Sequence, residues 1–204
     1  MKNKKPVFII CGLVILCVLW GVRYHSLNEH FREMYSQNTR EEYGLNELVE
    51  FGENKDRNGF TYPGYSVAVQ NFEIYDRADF EAEYGVNFDD YADSIYAVPG
   101  KVAVVSVKFE NDGSDVECVR LDGFVLHGVD SYFYPEFPFT NVINPSLGDA
   151  MGISVADGHK CELELVYFLH DFRLSSSVWK NIDDYKMWLN VTSYPTEKEI
   201  LLQQ

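Results

Sequence analysis

The sequence predicts an all-β protein, an antiparallel β-sandwich that follows one N-terminal transmembrane helix. Three observations lead to this fold class. The chain begins with lysines and a long uncharged apolar run. Short runs rich in β-branched and aromatic residues follow, separated by Gly, Asp, Asn and Pro, which is the pattern of strands joined by turns. Aromatic residues make up 15% of the chain, which argues against a disordered stalk.

The apolar run from Pro6 to Val22 predicts a transmembrane signal anchor over residues 6–23. It holds about 17 residues and covers roughly 25 Å as a helix, which is near the lower limit for a membrane span. A cleaved secretory signal peptide is the main alternative, but no small-residue cleavage site is visible at the end of the run. A buried helix of a soluble protein is the third interpretation.

The flanking charges predict how the chain is oriented. Lysines in residues 1–5 hold that segment in the cytoplasm by the positive-inside rule, so the rest of the chain after the anchor faces outside. Residues 24–43 show no sustained period and predict a polar stem. Residues 44–204 then form the extracytoplasmic β-sandwich domain, which is long enough for one substantial core.

The charge of the chain limits its partners. The formal net charge is −15, and several of the few basic residues lie in or beside the anchor, so the extracytoplasmic part is more acidic still. Such a surface repels phosphate backbones, which excludes a nucleic-acid-binding protein, and it disfavours adhesion to anionic lipid headgroups. The predicted partners are the membrane, through the N-terminal helix, and an unknown envelope protein or ligand.

The strand pattern is clearest in "YSVAVQNFEIY" (65–75) and "KVAVVSVKFEN" (101–111). Later segments of the same character are "VECVRLDGFVLHG", "AMGISV", "HKCELELVYFLH", "KMWLNVTSY" and "EKEILLQ". Alternation places one side of each strand in the core. The predicted core residues are Val67, Val69, Val105, Val107, Leu163, Leu165, Trp188 and Ile200.

An acidic insert, residues 76–93, interrupts this rhythm. We interpret it as a long loop with a helical turn or two, whose charges form a solvated face. Its acidic residues are Asp76, Asp79, Glu81, Glu83, Asp89, Asp90 and Asp93. They are weak candidates for a calcium site, with a Kd on the order of 10⁻⁴–10⁻³ M as in extracellular modules.

Two cysteines lie outside the predicted membrane segment. An oxidising exterior permits one disulfide between Cys118 and Cys161. Their positions in the local alternation disagree, however, because Cys161 shares a face with apolar residues whereas Cys118 opposes them. A bulge is needed to pair them, so two separate thiols are the favoured interpretation.

Other motifs are weak. Asn54, Asp56 and Asn58 copy the first half of a calcium loop, but the twelfth position is Tyr65 instead of a bidentate Glu, so a tight turn is expected. His159 and Cys161 have the spacing of a metal or thiol pair on a strand without further ligands. No G-x-S-x-G, P-loop or Rossmann fingerprint is present, and the sequence predicts no cofactor.

Four segments together resemble a known family. They are "EEYGLNELVEFGEN", "PGYSVAVQNFEIY", "VAVVSVKFEND" and "VWKNIDDYKMWLNVTSYPTEKEILL", and they follow a lysine-led anchor. This order resembles the uncharacterised single-span proteins of Gram-positive bacteria that carry a telokin-like, immunoglobulin-like extracytoplasmic domain. The resemblance spans roughly Tyr43 to Leu202 and implies an immunoglobulin-like sandwich at the cell envelope. It implies no activity and no catalytic residues.

The expected function is non-catalytic binding at the cell envelope, since domains of this class present loops or edges to partners. The alternative is an envelope enzyme that uses carboxylates of the 76–93 insert. A purely structural domain is a third hypothesis. A pocket with converging acids would favour the enzyme, whereas an exposed apolar patch would favour binding.

Overall fold

The computed structural model of the chain describes residues 14, 16–25, 39–91 and 99–203. The chain divides into two compact units, Met1–Thr39 and Arg40–Gln204. In the first unit, residues 16–25 are helical. Across the described part of the chain, no helix combines the length and the apolar character that crossing a membrane requires. Half of the predicted anchor, residues 6–13 and 15, lies outside the described residues.

The second unit consists mainly of antiparallel sheet, as predicted. Sheet A has five strands in the order β1-β11-β10-β6-β7. Its strands are β1 (Thr39–Tyr43), β6 (Val125–His127), β7 (Tyr132–Phe133), β10 (Trp188–Thr192) and β11 (Thr196–Leu201). Because β1 belongs to this sheet, the compact unit begins slightly before the predicted boundary at residue 44.

Sheet B has four strands in the order β2-β3-β4-β9, and a two-stranded ribbon joins β5 to β8. The strands of sheet B are β2 (Val49–Glu50), β3 (Tyr65–Asp76), β4 (Lys101–Asn111) and β9 (Lys160–Leu169). The ribbon strands are β5 (Val119–Arg120) and β8 (Gly152–Ile153). Three short helices complete the unit: α1 (Arg77–Tyr84), α2 (Phe137–Ile143) and α3 (Ser176–Lys180).

A bulge between Val69 and Asn71 divides β3 into two halves. Before the bulge, Tyr65, Val67 and Val69 face the main core. After it, the alternation shifts by one residue, so Phe72 and Ile74 pack against that same core. The bulge therefore keeps the apolar side of the whole strand directed between the sheets.

One hydrophobic core takes side chains from both sheets, as a sandwich requires. Seven of the eight predicted core residues are buried: Val67, Val69, Val105, Val107, Leu163, Leu165 and Ile200. The prediction for Trp188 is wrong. Its neighbours Leu189 and Val191 occupy the core, so the alternation of β10 turns Trp188 to the outer face of sheet A.

A second, smaller core covers the outer face of sheet B. Its buried residues are Phe80, Val86, Phe88, Val102, Val104, Phe139, Val166 and Phe168. Phe80 comes from α1 and Phe139 from α2, so both helices pack on this face. The acidic insert is helical, as expected in part, but it is not simply a solvated loop, because its aromatic side chains close the second core.

Helix α2 also closes the outer edge of β9. The Asn144 side chain accepts a hydrogen bond from the Glu164 backbone N–H (2.9 Å) and donates one to the Glu164 carbonyl oxygen (2.7 Å). The Thr140 hydroxyl accepts from the Val166 N–H (3.1 Å), and the Val166 carbonyl accepts from the Glu136 N–H (2.8 Å). The backbone groups of Glu164 and Val166 on this edge are thus satisfied without another strand.

We expect Asn144→Ala to lower the free energy of unfolding by about 1–3 kcal/mol, because it leaves the polar backbone groups of Glu164 unpaired in a half-buried setting. Urea unfolding monitored by circular dichroism measures the change. The matched control is Asn181→Ala at an exposed asparagine, where the cost should stay below about 1 kcal/mol. Equal losses in the two variants would contradict the edge-closing role of Asn144.

Candidate binding surfaces

In the described part of the acidic insert, residues 76–91, the carboxylates do not converge on one point. Asp76 pairs with Lys101 at 3.0 Å, and Arg77 pairs with Glu81 at 3.1 Å and with Asp89 at 2.9 Å. The charges are thus spread along α1 and its flanks and are partly neutralised by cations of the chain.

The other acidic residues of the insert give the calcium hypothesis no further support. Asp79, Glu83 and Asp90 are exposed, and Asp93 lies outside the described residues. Within the described ranges, no three His, Cys, Asp or Glu side chains converge as metal ligands.

Cys118 and Cys161 are free cysteines in the structure, so the disulfide that the sequence permits is not formed there. Cys118 precedes β5, whereas Cys161 lies on β9 and packs partly against the main core.

The half-motif of a calcium loop is a turn, as expected. The Asp56 carboxylate is buried and accepts hydrogen bonds from the backbone N–H groups of Asn58 and Phe60, each at 2.8 Å. Its second oxygen accepts from the Tyr62 hydroxyl at 2.9 Å. Asp56 therefore holds the turn together, and its oxygens already have protein donors.

A ladder of stacked side chains crosses the outer face of sheet A. Trp188 on β10 stacks on His127 of β6 with ring centroids 5.7 Å apart, and His127 stacks on Tyr132 of β7 at 5.6 Å. The guanidinium of Arg40 lies 5.6 Å from the centre of the Trp188 ring, and that of Arg57 lies 5.1 Å from the Tyr132 ring. These five residues are the ladder.

A buried ion pair lies beneath the ladder. The His127 Nε2 is 2.7 Å from the Glu199 Oε1, and the side chain of Glu199 is only 2% exposed. Arg40 also forms an ion pair with Glu199. The other ring nitrogen of His127, Nδ1, lies 3.2 Å from the Gly128 carbonyl oxygen and donates to it. Every charge of this group therefore has a partner.

The environment favours the charged forms of both members. Burial disfavours protonation of His127, but the hydrogen bond and negative charge of Glu199 outweigh it and raise the pKa of His127. Burial also disfavours ionisation of Glu199, yet His127 and Arg40 outweigh it and lower the pKa of that carboxyl. Burial, assisted by Glu199, raises the pKa of the neighbouring Glu197.

The ladder has the properties of a stabilising network rather than a binding site. His127 is stacked between Trp188 and Tyr132, so the surface that remains exposed is mainly that of Tyr132 at the end of the ladder, and the buried charges are already paired. The Trp188 indole N–H also donates to Glu42 at 2.8 Å, which ties β1 to β10. The ladder therefore connects side chains from four strands of sheet A.

A cleft of about 700 Å³ lies between the second half of β3 and the end of β11. Its apolar lining residues are Leu45, Phe72, Ile74, Leu201 and Leu202. Its polar lining residues are Asn71, Asp183, Asp184, Lys186 and Gln203. Phe72 and Ile74 are only half-buried, so part of their apolar surface is accessible in the cleft.

Strand β2 covers only the first half of β3. The Tyr65 carbonyl accepts from the Phe51 N–H at 3.1 Å, and the Val69 carbonyl accepts from the Asn46 N–H at 2.8 Å. Odd-numbered residues before the bulge therefore direct their backbone groups towards β2. Because β2 is two residues long, it pairs only with Val67 and Ser66.

The bulge then reverses which residues face this edge. Asn71, Glu73 and Tyr75 lie opposite Ser106, Val104 and Val102 of β4 and bond towards that strand. The N–H and C=O groups of Phe72 and Ile74 consequently point away from β4, beside the cleft. Among the described residues, no backbone group of another strand pairs with them.

Sequence reasoning missed this surface, although part of its signal was visible. The apolar positions of the strand run from Val69 to Phe72 and Ile74, and that change of phase is typical of a bulge. No local pattern in the chain indicates that β2 is so short or that the end of β11 lies nearby.

Comparison with protein families assigns the chain. The match covers residues 40–198 and is to the family described as a domain of unknown function, DUF5028. The chain belongs to the DUF5028 family. Searches of curated proteins and of solved structures found no match. The matched range begins in β1 and ends in β11, so the DUF5028 domain corresponds closely to the second compact unit.

The ion pair predicts that the stability of the DUF5028 domain depends on pH. His127 has a raised pKa in the folded state, so its contribution is complete below the unfolded pKa of about 6.5 and is lost as pH rises through the folded pKa. We expect the free energy of unfolding to fall between about pH 6 and about pH 9 more in the wild type than in His127→Gln. Urea unfolding at each pH measures this difference.

The low-pH side has the opposite sign. Glu199 has a lowered pKa, so its contribution is present above the unfolded pKa and is lost as pH falls through the folded one.

His159→Gln, at an exposed histidine, is the control and should follow the wild-type curve. Parallel pH curves for the wild type and His127→Gln would show that the pair does not contribute in this way.

Proposed function

We propose that this DUF5028 protein is a non-catalytic binding module of the cell envelope. An N-terminal helix holds it in the membrane, and its immunoglobulin-like, telokin-like sandwich lies on the extracytoplasmic side. It binds an envelope protein or ligand through the cleft beside β3. This proposal keeps the function expected from the sequence and adds the cleft as its binding site, which the sequence did not specify.

The cleft is the observation that carries the proposal. It combines the half-buried apolar side chains of Phe72 and Ile74 with backbone groups that pair with no other strand among the described residues. Exposed apolar surface rimmed by charge is typical of a docking site. The opposite edge of sheet B shows how this chain closes an edge, because Asn144, Thr140 and Glu136 pair with the backbone groups of Glu164 and Val166 on β9.

The enzyme alternative has less support. General acid–base chemistry by carboxylates needs two of them to converge on one substrate bond. In the insert, Asp76, Glu81 and Asp89 instead form ion pairs with cations of the chain. The aromatic residues of the same segment pack on sheet B, so the insert covers a core rather than surrounding a cavity.

Two features support the membrane location. The lysines before residue 6 and the uncharged run after them are typical of a signal anchor. In the described helix 16–25, the side chains of Leu19, Trp20 and Val22 are exposed, as expected for residues whose natural surroundings are apolar. The acidic sandwich is then repelled from anionic headgroups and projects into solvent.

The proposed location predicts that a tag placed after Gln204 is accessible to protease on intact, wall-stripped cells. The protein should remain in the membrane fraction at its full-length mass, because the anchor is not cleaved. A cytoplasmic protein expressed in the same cells must stay protected, which controls for lysis. Soluble release of a chain lacking its first 20 to 25 residues, roughly the length of a signal peptide, would show cleavage instead.

The proposed site predicts position-specific crosslinking in cells. A benzophenone-bearing phenylalanine analogue in place of Phe72 should give a discrete adduct, since it lies in the cleft. The same analogue in place of Asp79, an exposed position on α1, is the matched control and should give none. An adduct at position 79 without one at position 72 would make the insert the binding surface and overturn the proposal.

A further inference from the structure

We infer that the partner binds as an added β-strand on the open edge of β3, and that this strand alternates apolar residues with basic ones. The inference rests on the proposed function and specifies how the cleft is used. It follows from three properties of the site, which are its backbone groups without a partner among the described residues, its apolar lining and its charge.

The backbone groups define the mode of binding. Phe72 and Ile74 each offer one N–H and one C=O at the edge beside the cleft, in the geometry of a strand already held on its other side by β4. An extended peptide can therefore form up to four ladder hydrogen bonds without any rearrangement of sheet B. A compact small molecule cannot satisfy groups spaced along a strand in this way.

The apolar side chains of the cleft determine the type of every second residue in the added strand. Residues of a neighbouring strand that lie beside Phe72 and Ile74 point to the same side of the sheet, which is the side of the cleft. The cleft wall there is apolar and includes Leu45 and Leu202. Apolar side chains at alternate positions of the partner would fill it.

The charges near this edge determine which residues the partner carries between its apolar positions. These residues point to the outer face of sheet B, where Glu73 is exposed and hydrogen bonds from Tyr75 and Asn71 lower the pKa of its carboxyl. Asp183, which pairs with Lys101 at 4.0 Å, and Asp184 also line the cleft, with one lining cation, Lys186. A basic side chain beside this edge is therefore electrostatically complementary.

The same charges disfavour a second copy of the chain. Two antiparallel β3 edges would bring Glu73 near its counterpart, and each chain carries a formal net charge of −15. Like charges across adjacent strands are destabilising, and negatively charged edge residues are a common protection against self-pairing. Pairing of this edge with a second copy of the chain is thus disfavoured, whereas pairing with a basic segment is favoured.

The test uses the full chain in detergent micelles and three labelled peptides of about eight residues each. One alternates valine and lysine, the second alternates valine and glutamate, and the third has the first composition with its valines and lysines in separate blocks. Fluorescence anisotropy measures affinity, and hydrogen exchange reports the amides of Phe72 and Ile74. We expect the valine–lysine peptide to bind most tightly and to slow exchange at both amides.

Two substitutions separate the backbone from the side chain. Ile74→Pro removes the edge N–H but no bond to β4, so the fold should tolerate it, whereas Ile74→Ala shortens the side chain and keeps the N–H. We expect Ile74→Pro to weaken binding of the valine–lysine peptide about tenfold relative to Ile74→Ala. Thermal melts check folding, and the exchange result on the wild type does not depend on either variant.

Several outcomes would overturn the inference. They are equal affinity for the lysine and glutamate peptides, unchanged exchange at Phe72 and Ile74, or equal binding by the two variants. Dimers that sedimentation detects in the wild type and not in Ile74→Pro would identify a second copy as the occupant. If the position-72 adduct in cells survives Ile74→Pro, the proposed function stands and strand addition fails. If the wild type gives no such adduct, the proposed function fails.

Discussion

The bulge in β3 is the constraint on which the site depends. Without the extra residue between Val69 and Asn71, the alternation of the strand would turn Glu73 towards the main core and Ile74 towards α1. The inserted residue instead keeps the apolar side chains over the core and transfers the edge-facing backbone groups to Phe72 and Ile74. One local irregularity thus creates both the apolar wall of the cleft and the unpaired edge beside it.

The two edges of sheet B illustrate opposite solutions to one problem. Unpaired backbone groups invite pairing with other chains, so folded proteins usually cover or charge them. At β9 the polar side chains of Asn144 and Thr140 imitate a neighbouring strand. At β3 no described residue pairs with the backbone groups of Phe72 and Ile74, and the Glu73 beside them deters self-association and still permits a partner of opposite charge.

The ladder on sheet A provides a stable support for this arrangement. A buried carboxylate such as Glu199 would be strongly destabilising alone, but His127 and Arg40 compensate its charge, and the stacked rings exclude water around them. Removing one member would leave an uncompensated buried charge, so the network acts as a unit. The end of β11, which contributes Leu201 to the cleft, is held by the same strands that the ladder joins.

Features that depend on residues close together in the chain could be predicted from the sequence, and features that depend on distant segments could not. Strands such as β4 were predictable because alternation is local, and seven of the eight predicted core residues are buried. Trp188 was wrongly predicted because an indole suits a core or an amphipathic outer face equally well. Helix α1 was only partly predicted, since Phe80 is the one buried residue along its length and the helical periodicity is therefore weak.

The cleft belongs to a different category. Its apolar wall depends on a change of phase that is visible in sequence, but its open edge depends on the shortness of β2, and its volume depends on where the end of β11 lies. These are relations between segments far apart in the chain, and no local pattern encodes them. A binding surface of this kind can therefore be recognised only once the positions of the surrounding strands are known.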